Sequence, residues 1–189
     1  MTAEREPTTR RRKRDSQRWR LLEAMSKRVG ELGYAETSVA EVIAAAGVSR
    51  KTFYEHFESK ETCFLAAYDE LSDRLIRALQ REEGSARAQL RRYLQVLDGD
   101  VTVARALIVE VLAAGPKALQ RREQVNARFA TAVFGHLTRS PVILKAIIGG
   151  INNVVGGELM NAERRQPLIA LLPSLSRFVE QAAGNRSRA

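Results

Sequence analysis

Ser38, Ser49, Arg50, Lys51, Thr52, Tyr54, Glu55 and His56 all fall between positions 38 and 57. Hydroxyls, a guanidinium, an ammonium, a phenol and an imidazole bond phosphate oxygens and the edges of bases. They do not assemble into a catalytic set. His56 could act as a general base, but no serine or cysteine nucleophile with an orienting acid accompanies it, so an enzyme is not expected. The sequence has no glycine-rich phosphate loop, dinucleotide fingerprint, zinc-protease motif or EF-hand pattern. Without clustered metal ligands, neither a metal nor a cofactor is expected. The single cysteine, Cys63, cannot form an intramolecular disulfide and fits a reducing cytoplasm. A packed residue is its ordinary role and a redox switch the sharper one.

The elements that must hold this segment are helical. Trp19, Leu22, Met25, Val29 and Leu32 step by three and four, which predicts a first helix with Trp19 in the core. Gly33 stops it in the position a left-handed residue takes. Ser38 and Glu41 form an S-x-x-E capping box that opens a short second helix, with Val42, Ile43 and Ala46 on its apolar side. Gly47 ends that helix, Val48 tucks inward and Ser49 caps a third. Phe53 and Phe57, four apart, anchor the third helix to the first two. Its solvent face then carries Lys51 and Glu55, flanked by Tyr54 and Thr52. Arg50 sits in the first turn near the core edge. Two short helices joined at residues 46–49 have the size and punctuation of a helix-turn-helix, whose second helix fits the DNA major groove.

Beyond Ser59 the helical pattern continues. Helices are expected at about 60–83, 86–98, 101–113, 116–137, 141–161 and 167–182, with breaks at Asp98-Gly99-Asp100, Gly115-Pro116 and Ser140-Pro141. Pro173 should kink the last helix or mark its true start. With no strand pattern, the class is all-α, with about nine helices.

Of the 189 residues, 44% are hydrophobic, enough for a real core. The net charge of +9 suggests an anionic partner. It is unevenly placed: residues 1–14 carry +4, residues 15–60 are neutral and residues 61–189 carry +5. If the middle stretch binds DNA, bulk charge is not the reason. Residues 1–14 read as a disordered basic arm, either a solvated tail or one that tracks phosphates or a minor groove. Residues 185–189 read as a frayed tail. No apolar stretch follows the basic run at 10–14, so no signal peptide is expected. Residues 141–160 are the best membrane candidate, but Lys145, Asn152, Asn153 and four glycines argue against a spanning helix, and no membrane partner is expected.

Gly33-Tyr34, Thr37-Ser38-Val39, Ala45-Ala46-Gly47-Val48-Ser49, Thr52-Phe53-Tyr54-Glu55-His56-Phe57 and Ser59-Lys60-Glu61 together resemble the DNA-binding domain of the tetracycline-repressor (TetR) family. The likeness covers about residues 15–65 and keeps order, spacing and residue type. Residues 66–189 match in length and helix count, and residues 149–155 look like the family's eighth helix. The resemblance implies a DNA-binding domain at 15–60 and a helical ligand-binding and dimerisation domain at 61–184. It implies a homodimeric, cytoplasmic transcription factor, usually a repressor of a pseudo-palindromic double-stranded operator. A small-molecule effector of unknown identity shifts the two reading helices. The alternative is a ligand-independent or activating DNA-binding protein.

Carried over by position, Ser38 bonds a phosphate, as a capping Ser49 can. Arg50, Lys51 and Tyr54 face the groove, while Thr52, His56 and Lys60 contact backbone phosphates. Three residues depart from the family pattern. Ala40 stands where a basic residue is common, Lys51 where glycine is common and Glu55 where an aromatic or histidine is common. For Glu55 two readings stand: an i,i+4 pair with Lys51, or a carboxylate that accepts from a cytosine amino group.

In the second domain Tyr68, Leu94, Leu107, Phe129 and Val133 are candidate pocket residues, and equally candidate core. Gly149 with Gly156, and Gly150 with Gly157, recur at seven residues on one helix face. With Leu175 and Phe178 of the last helix they are candidates for a dimer interface, the alternative being packing within the subunit. Residues 101–114 are apolar nearly all round and should be buried, interrupted by Arg105 and Glu110. Arg105 is either an anchor for an anionic ligand or a charge that snorkels to the surface. His136 reads as an exposed or capping residue.

Overall fold

A computed structural model describes residues 6–81, 85–163 and 166–184, with side chains from Arg12 onward. Residues 1–5 of the expected arm and the expected tail at 185–189 lie outside the described residues. Among the described residues the chain is all-α, with nine α-helices and two short 3-10 segments. They are α1 (Glu6–Leu32), α2 (Val39–Ala46), α3 (Arg50–His56), α4 (Lys60–Gln80), α5 (Ala86–Gly99), α6 (Val101–Ile108), α7 (Pro116–Phe134), α8 (Pro141–Met160) and α9 (Leu172–Gly184).

The first helix starts earlier than its apolar pattern. Residues 6–14, expected to be disordered, continue α1 back to Glu6. Lys and Arg are good helix formers, no glycine interrupts the run, and Pro7 falls in the first turn, where its missing N–H is no loss. At the other end Gly33 takes φ 90°. A short loop then leads to α2, which opens on the expected capping box. Glu41 N–H donates to Ser38 Oγ at 3.2 Å, and Ser38 N–H donates to Glu41 Oε2 at 2.7 Å. Gly47, at φ 61°, closes α2 in the left-handed region.

Pro173 marks the true start of the last helix: a 3-10 turn (Leu168–Leu171) precedes it and α9 begins at Leu172. The N–H groups of Leu168 and Ile169 donate to the two Asp98 carboxylate oxygens at 2.7 and 2.9 Å, which pins this turn to the end of α5. Residues 101–113, expected as one buried helix, divide into α6 and a 3-10 segment (Glu110–Ala113), and Leu112 is exposed. The cause is Glu110, whose buried carboxylate is drawn away from the helix path to partners described below.

Two hydrophobic cores form. One joins Leu21, Met25, Val29, Val42, Phe53 and Phe57 to Phe64 and Tyr68 of α4, Ala106 of α6 and Val125 of α7. The other joins α5, α8 and α9 through residues such as Tyr93, Leu94, Ile147, Ile151 and Leu175. The first core runs straight across residue 60, because α4 is one rigid rod that serves both halves. Trp19, expected in the core, is half-buried at its edge, with the Arg74 guanidinium 3.6 Å over its ring.

α8 is long and apolar enough to cross a membrane by length and composition. In the fold it packs against α6, α7 and α9, with Ile147, Ile151 and Val155 fully buried.

Candidate nucleic-acid interface

α3 is seven residues long and could not persist alone. Three features hold it. Ser49 Oγ accepts from Thr52 N–H at 3.0 Å and lies 3.0 Å from the Thr52 hydroxyl, capping the first turn. Phe53 is fully buried, with the Phe57 ring 5.9 Å away. The Arg18 guanidinium of α1 stacks 5.4 Å over the Phe57 ring. A buried Phe contributes about 1.5–3 kcal/mol, so this short helix is fixed chiefly by its inward face.

With that face buried, Arg50, Lys51, Tyr54 and Glu55 are exposed together on the other. Tyr54 keeps 51% of its surface, unusual for an aromatic side chain with no partner in the fold beyond its edge contact to Phe53. Thr52 and His56 are half-buried on the flank, and Ser38 and Ser49 are exposed at the starts of α2 and α3. The Ser38 hydroxyl proton remains available to a phosphate, since its oxygen acts as an acceptor inside the fold, while the Ser49 and Thr52 hydroxyls share one hydrogen bond that leaves one of the two protons free. Burial pushes the His56 pKa below the ordinary histidine value, and the positive charges of Arg14 and Arg18 push it further the same way. A neutral imidazole can still donate one N–H.

Two expectations change. Among the described residues no ion pair joins Lys51 to Glu55, so the carboxylate is not held along its own helix. Lys60 is engaged elsewhere: its Nζ donates to the Tyr34 carbonyl at 2.8 Å and sits 4.4 Å over the Tyr34 ring. It clamps the α1–α2 loop, and its remaining donor capacity is what a phosphate could use.

One functional residue pair carried no signal in the helical pattern. Glu110 accepts from Tyr34 N–H at 3.0 Å through Oε2 and from Arg105 Nε at 3.2 Å through Oε1. Arg105 pairs with Glu110 while its own side chain stays 42% exposed, so its charge reaches the surface as one of the two readings expected. This bond ties the loop after α1 to the segment after α6. Nearby, Gly30 lets α1 touch α6, and a Cβ there would overlap the Thr102 carbonyl. The N-terminal helices are thus fastened both to α6 and to the segment that follows it.

In the other half, Tyr68, Leu107 and Phe129 line a small cavity of about 40 Å³, together with Tyr93, Asn126 and Asn152. Leu94 and Val133, also expected there, do not line it; they are fully packed core residues. The glycines of α8 do not behave as the two seven-residue pairs expected: one member of each pair is covered and the other open. Gly150 is covered by the Phe178 ring of α9 and Gly156 lies against Ile108, while Gly149 and Gly157 face open space. Leu175 is 4% exposed and belongs to the subunit's own core, whereas Phe178 is at the surface. Cys63 is fully buried, which pushes its thiol pKa up to about 12 and fits the packed role. His136 is exposed.

A short capped helix held proud on two others, with an exposed basic and aromatic face, defines a helix-turn-helix DNA-binding protein. Residues 21–67 match the family model of bacterial regulatory proteins, tetR family. No curated protein matches the sequence. The whole fold is shared with solved regulators. The transcriptional regulator FadR from Bacillus subtilis, solved in complex with stearoyl-CoA, is 20% identical with a TM-score of 0.74, the match covering 85% of this chain and 96% of that one. Salmonella enterica GusR is 19% identical with a TM-score of 0.68, over 89% of this chain and 95% of that one. A TerR/AcrR-family transcriptional regulator from Aquifex aeolicus is 24% identical with a TM-score of 0.65, over 87% and 98%. The chain thus carries a tetR-family segment at residues 21–67 within a fold shared with solved transcriptional regulators.

Proposed function

We propose that this protein is a ligand-responsive, homodimeric repressor that binds a pseudo-palindromic operator, one α3 in each half-site. The observation that carries this reading is the exposed face of Arg50, Lys51, Tyr54 and Glu55 on a helix whose other face is locked by Phe53 and Phe57. Arg50, Lys51 and Tyr54 read the groove, while Ser38, Ser49, Thr52 and His56, with the spare donor of Lys60, set the register through phosphates. Under this reading residues 15–60 form the DNA-binding unit, residues 61–184 form the effector and dimerisation unit, and the protein works in the cytoplasm beside the DNA.

The dimer face is proposed on α8 and α9, where Val142, Val154, Met160 and Phe178 are exposed and Gly149 and Gly157 leave room for a second backbone. Gly150, Gly156 and Leu175 support that face from inside the subunit. An effector is in keeping with the polar cavity beside Tyr68, Leu107 and Phe129, which has room for a head group, and with the Bacillus subtilis regulator of the same fold having been solved in complex with stearoyl-CoA. Occupancy would favour a conformer whose two α3 helices no longer match the half-site spacing, by as much as the effector's affinity differs between the two states.

The test is competition and footprinting with purified full-length protein. Two-fold symmetric protection and a preference for that site over scrambled DNA are expected. Equal binding to scrambled DNA would make the protein architectural and overturn the reading. Deleting residues 1–14 should flatten the salt dependence by about 0.9 in log–log slope for each phosphate that the arm neutralises; an unchanged slope would show that the arm does not touch DNA.

A further inference from the structure

The cations of α7 follow a rule with one exception. Lys117 pairs with Glu61 of α4 at 3.0 Å, Arg121 with Asp69 and Arg128 with Asp73 at 2.8 Å. Arg122, half-buried, has no hydrogen bond and no ion pair among the described residues. Its neighbour Glu123 is committed to Lys145 of α8 at 2.8 Å. Arg122 acts on the Glu123 carboxylate only through its field, and a half-buried guanidinium with no carboxylate bonded to it is costly to keep, because its planar fork of donors has lost part of its water.

The place it occupies is equally particular. Arg122, Asn126 and Ile148 line both the small cavity and a larger groove of about 590 Å³ between α7 and α8. On the cavity side stands a chain of polar groups: the Tyr93 hydroxyl donates to Asn152 Oδ1 at 3.2 Å, and Asn152 Nδ2 donates to Asn126 Oδ1 at 3.1 Å. The Tyr68 hydroxyl is buried beside them, and the positive charge of Arg122 acts on both phenols. On the groove side the floor is apolar, with Ala127, Ala130, Leu144 and Ile148, and the rim carries Arg139 and Lys145. The cavity has room for water or a small head group only, while the groove falls within the usual range of about 300–1,000 Å³ for a small-molecule site.

We propose that Arg122 is the anchor of an organic-acid site: an apolar carboxylic acid lays its body along the α7–α8 groove and presents its carboxylate to Arg122 at the mouth of the cavity. Arg122 takes the carboxylate in the bidentate geometry that guanidinium favours. Arg139 and Lys145 outweigh Glu123 at the rim and attract the anion. The Asn126 and Asn152 amides lie within the same mouth, so the bound head group meets the polar chain that crosses into the subunit's interior. Such an acid is the effector class of the regulator proposed above; its effect on DNA rests on that reading, while its binding does not.

The probes are decanoate and 3-phenylpropionate, each against its primary amide, titrated calorimetrically into the full-length protein. The acids are expected to bind about ten- to hundred-fold more tightly than the amides, the range expected for one charge-assisted pair. Arg122→Gln should erase that preference, and Arg122→Lys should keep part of it. Both variants should melt at or above the wild-type temperature, since Arg122 has no partner to lose. Equal affinity for acid and amide, no binding of either acid, or undiminished acid binding by a folded R122Q protein would overturn the site. Operator release by an acid that R122Q no longer obeys would support both proposals. Acid preference in a protein that binds no operator would support the site and overturn the regulator reading.

Discussion

The two hydrophobic cores differ in how much freedom they leave. Around Phe53, Met25 and Phe64 the residues are tightly packed, the starts of α2, α3 and α4 are each capped by a serine, and the loops between them are short. Around Tyr93, Phe129 and Ile148 a cavity remains, crossed by amides and phenols rather than filled by methyl groups. The first region must hold a helix of seven residues in one orientation, so rigidity is its function. The second keeps polar groups and space at a cost in packing that a purely structural core would not bear. The cavity lies on the seam, with Tyr68 and Val125 from one core and Tyr93, Phe129 and Ile148 from the other.

The largest effect should come from breaking the rigid side. Phe53→Ala empties a fully buried site and should cost about 3–5 kcal/mol in urea unfolding, with loss of operator binding. A drop of under about 1 kcal/mol would show that α3 is held by its caps rather than by its core. Next comes the seam. Glu110→Ala strands the Tyr34 N–H and frees Arg105, and should cost about 1–3 kcal/mol. It should also weaken operator binding, though it lies outside the reading helix; unchanged DNA affinity would show that the fastening between the halves carries no information. Ser38→Ala removes one side of the capping box and should cost about 1 kcal/mol.

His56 gives a test by pH. Its folded pKa lies below the ordinary value, so between the two the native state binds fewer protons than the unfolded chain. Stability is then fully present above the ordinary histidine range and declines as pH falls through it. A phosphate beside the ring works the other way, because it favours the imidazolium. Operator affinity should therefore rise as pH drops from about 7.5 to 6, and His56→Gln should flatten that rise. An identical pH profile in the variant would remove His56 from the interface. The smallest expected change is in specificity: a Glu55 that accepts from a cytosine amino group makes Glu55→Ala relax preference at one base pair of the selected site, and an unchanged preference would remove Glu55 from base reading.

The same contrast explains what could be read from the residues alone. The capping box at Ser38, the glycine at 47 and the Phe53–Phe57 spacing are local signals, and each sets the backbone within a turn of itself. The start of α1 at Glu6 is hidden because a run of basic residues has helix propensity without an apolar stripe. The break after α6 is hidden because its cause, Tyr34, lies 76 residues from Glu110. Leu94 and Val133 look like Leu107 and Phe129 in any helical pattern. Only the packing of α5 to α8 decides which of them meet the cavity. The exception at Arg122 is likewise invisible until Asp69 and Asp73 are seen to take its neighbours.

The most direct measurement is a binding-site selection on random duplex DNA, run with the wild type and with a variant carrying alanine at Arg50, Lys51 and Tyr54. A two-fold symmetric site is predicted for the wild type and no enriched sequence for the variant, with both proteins equally stable because all three side chains are exposed. The same site enriched by both proteins would mean that the face of α3 does not read DNA, and would contradict the central claim.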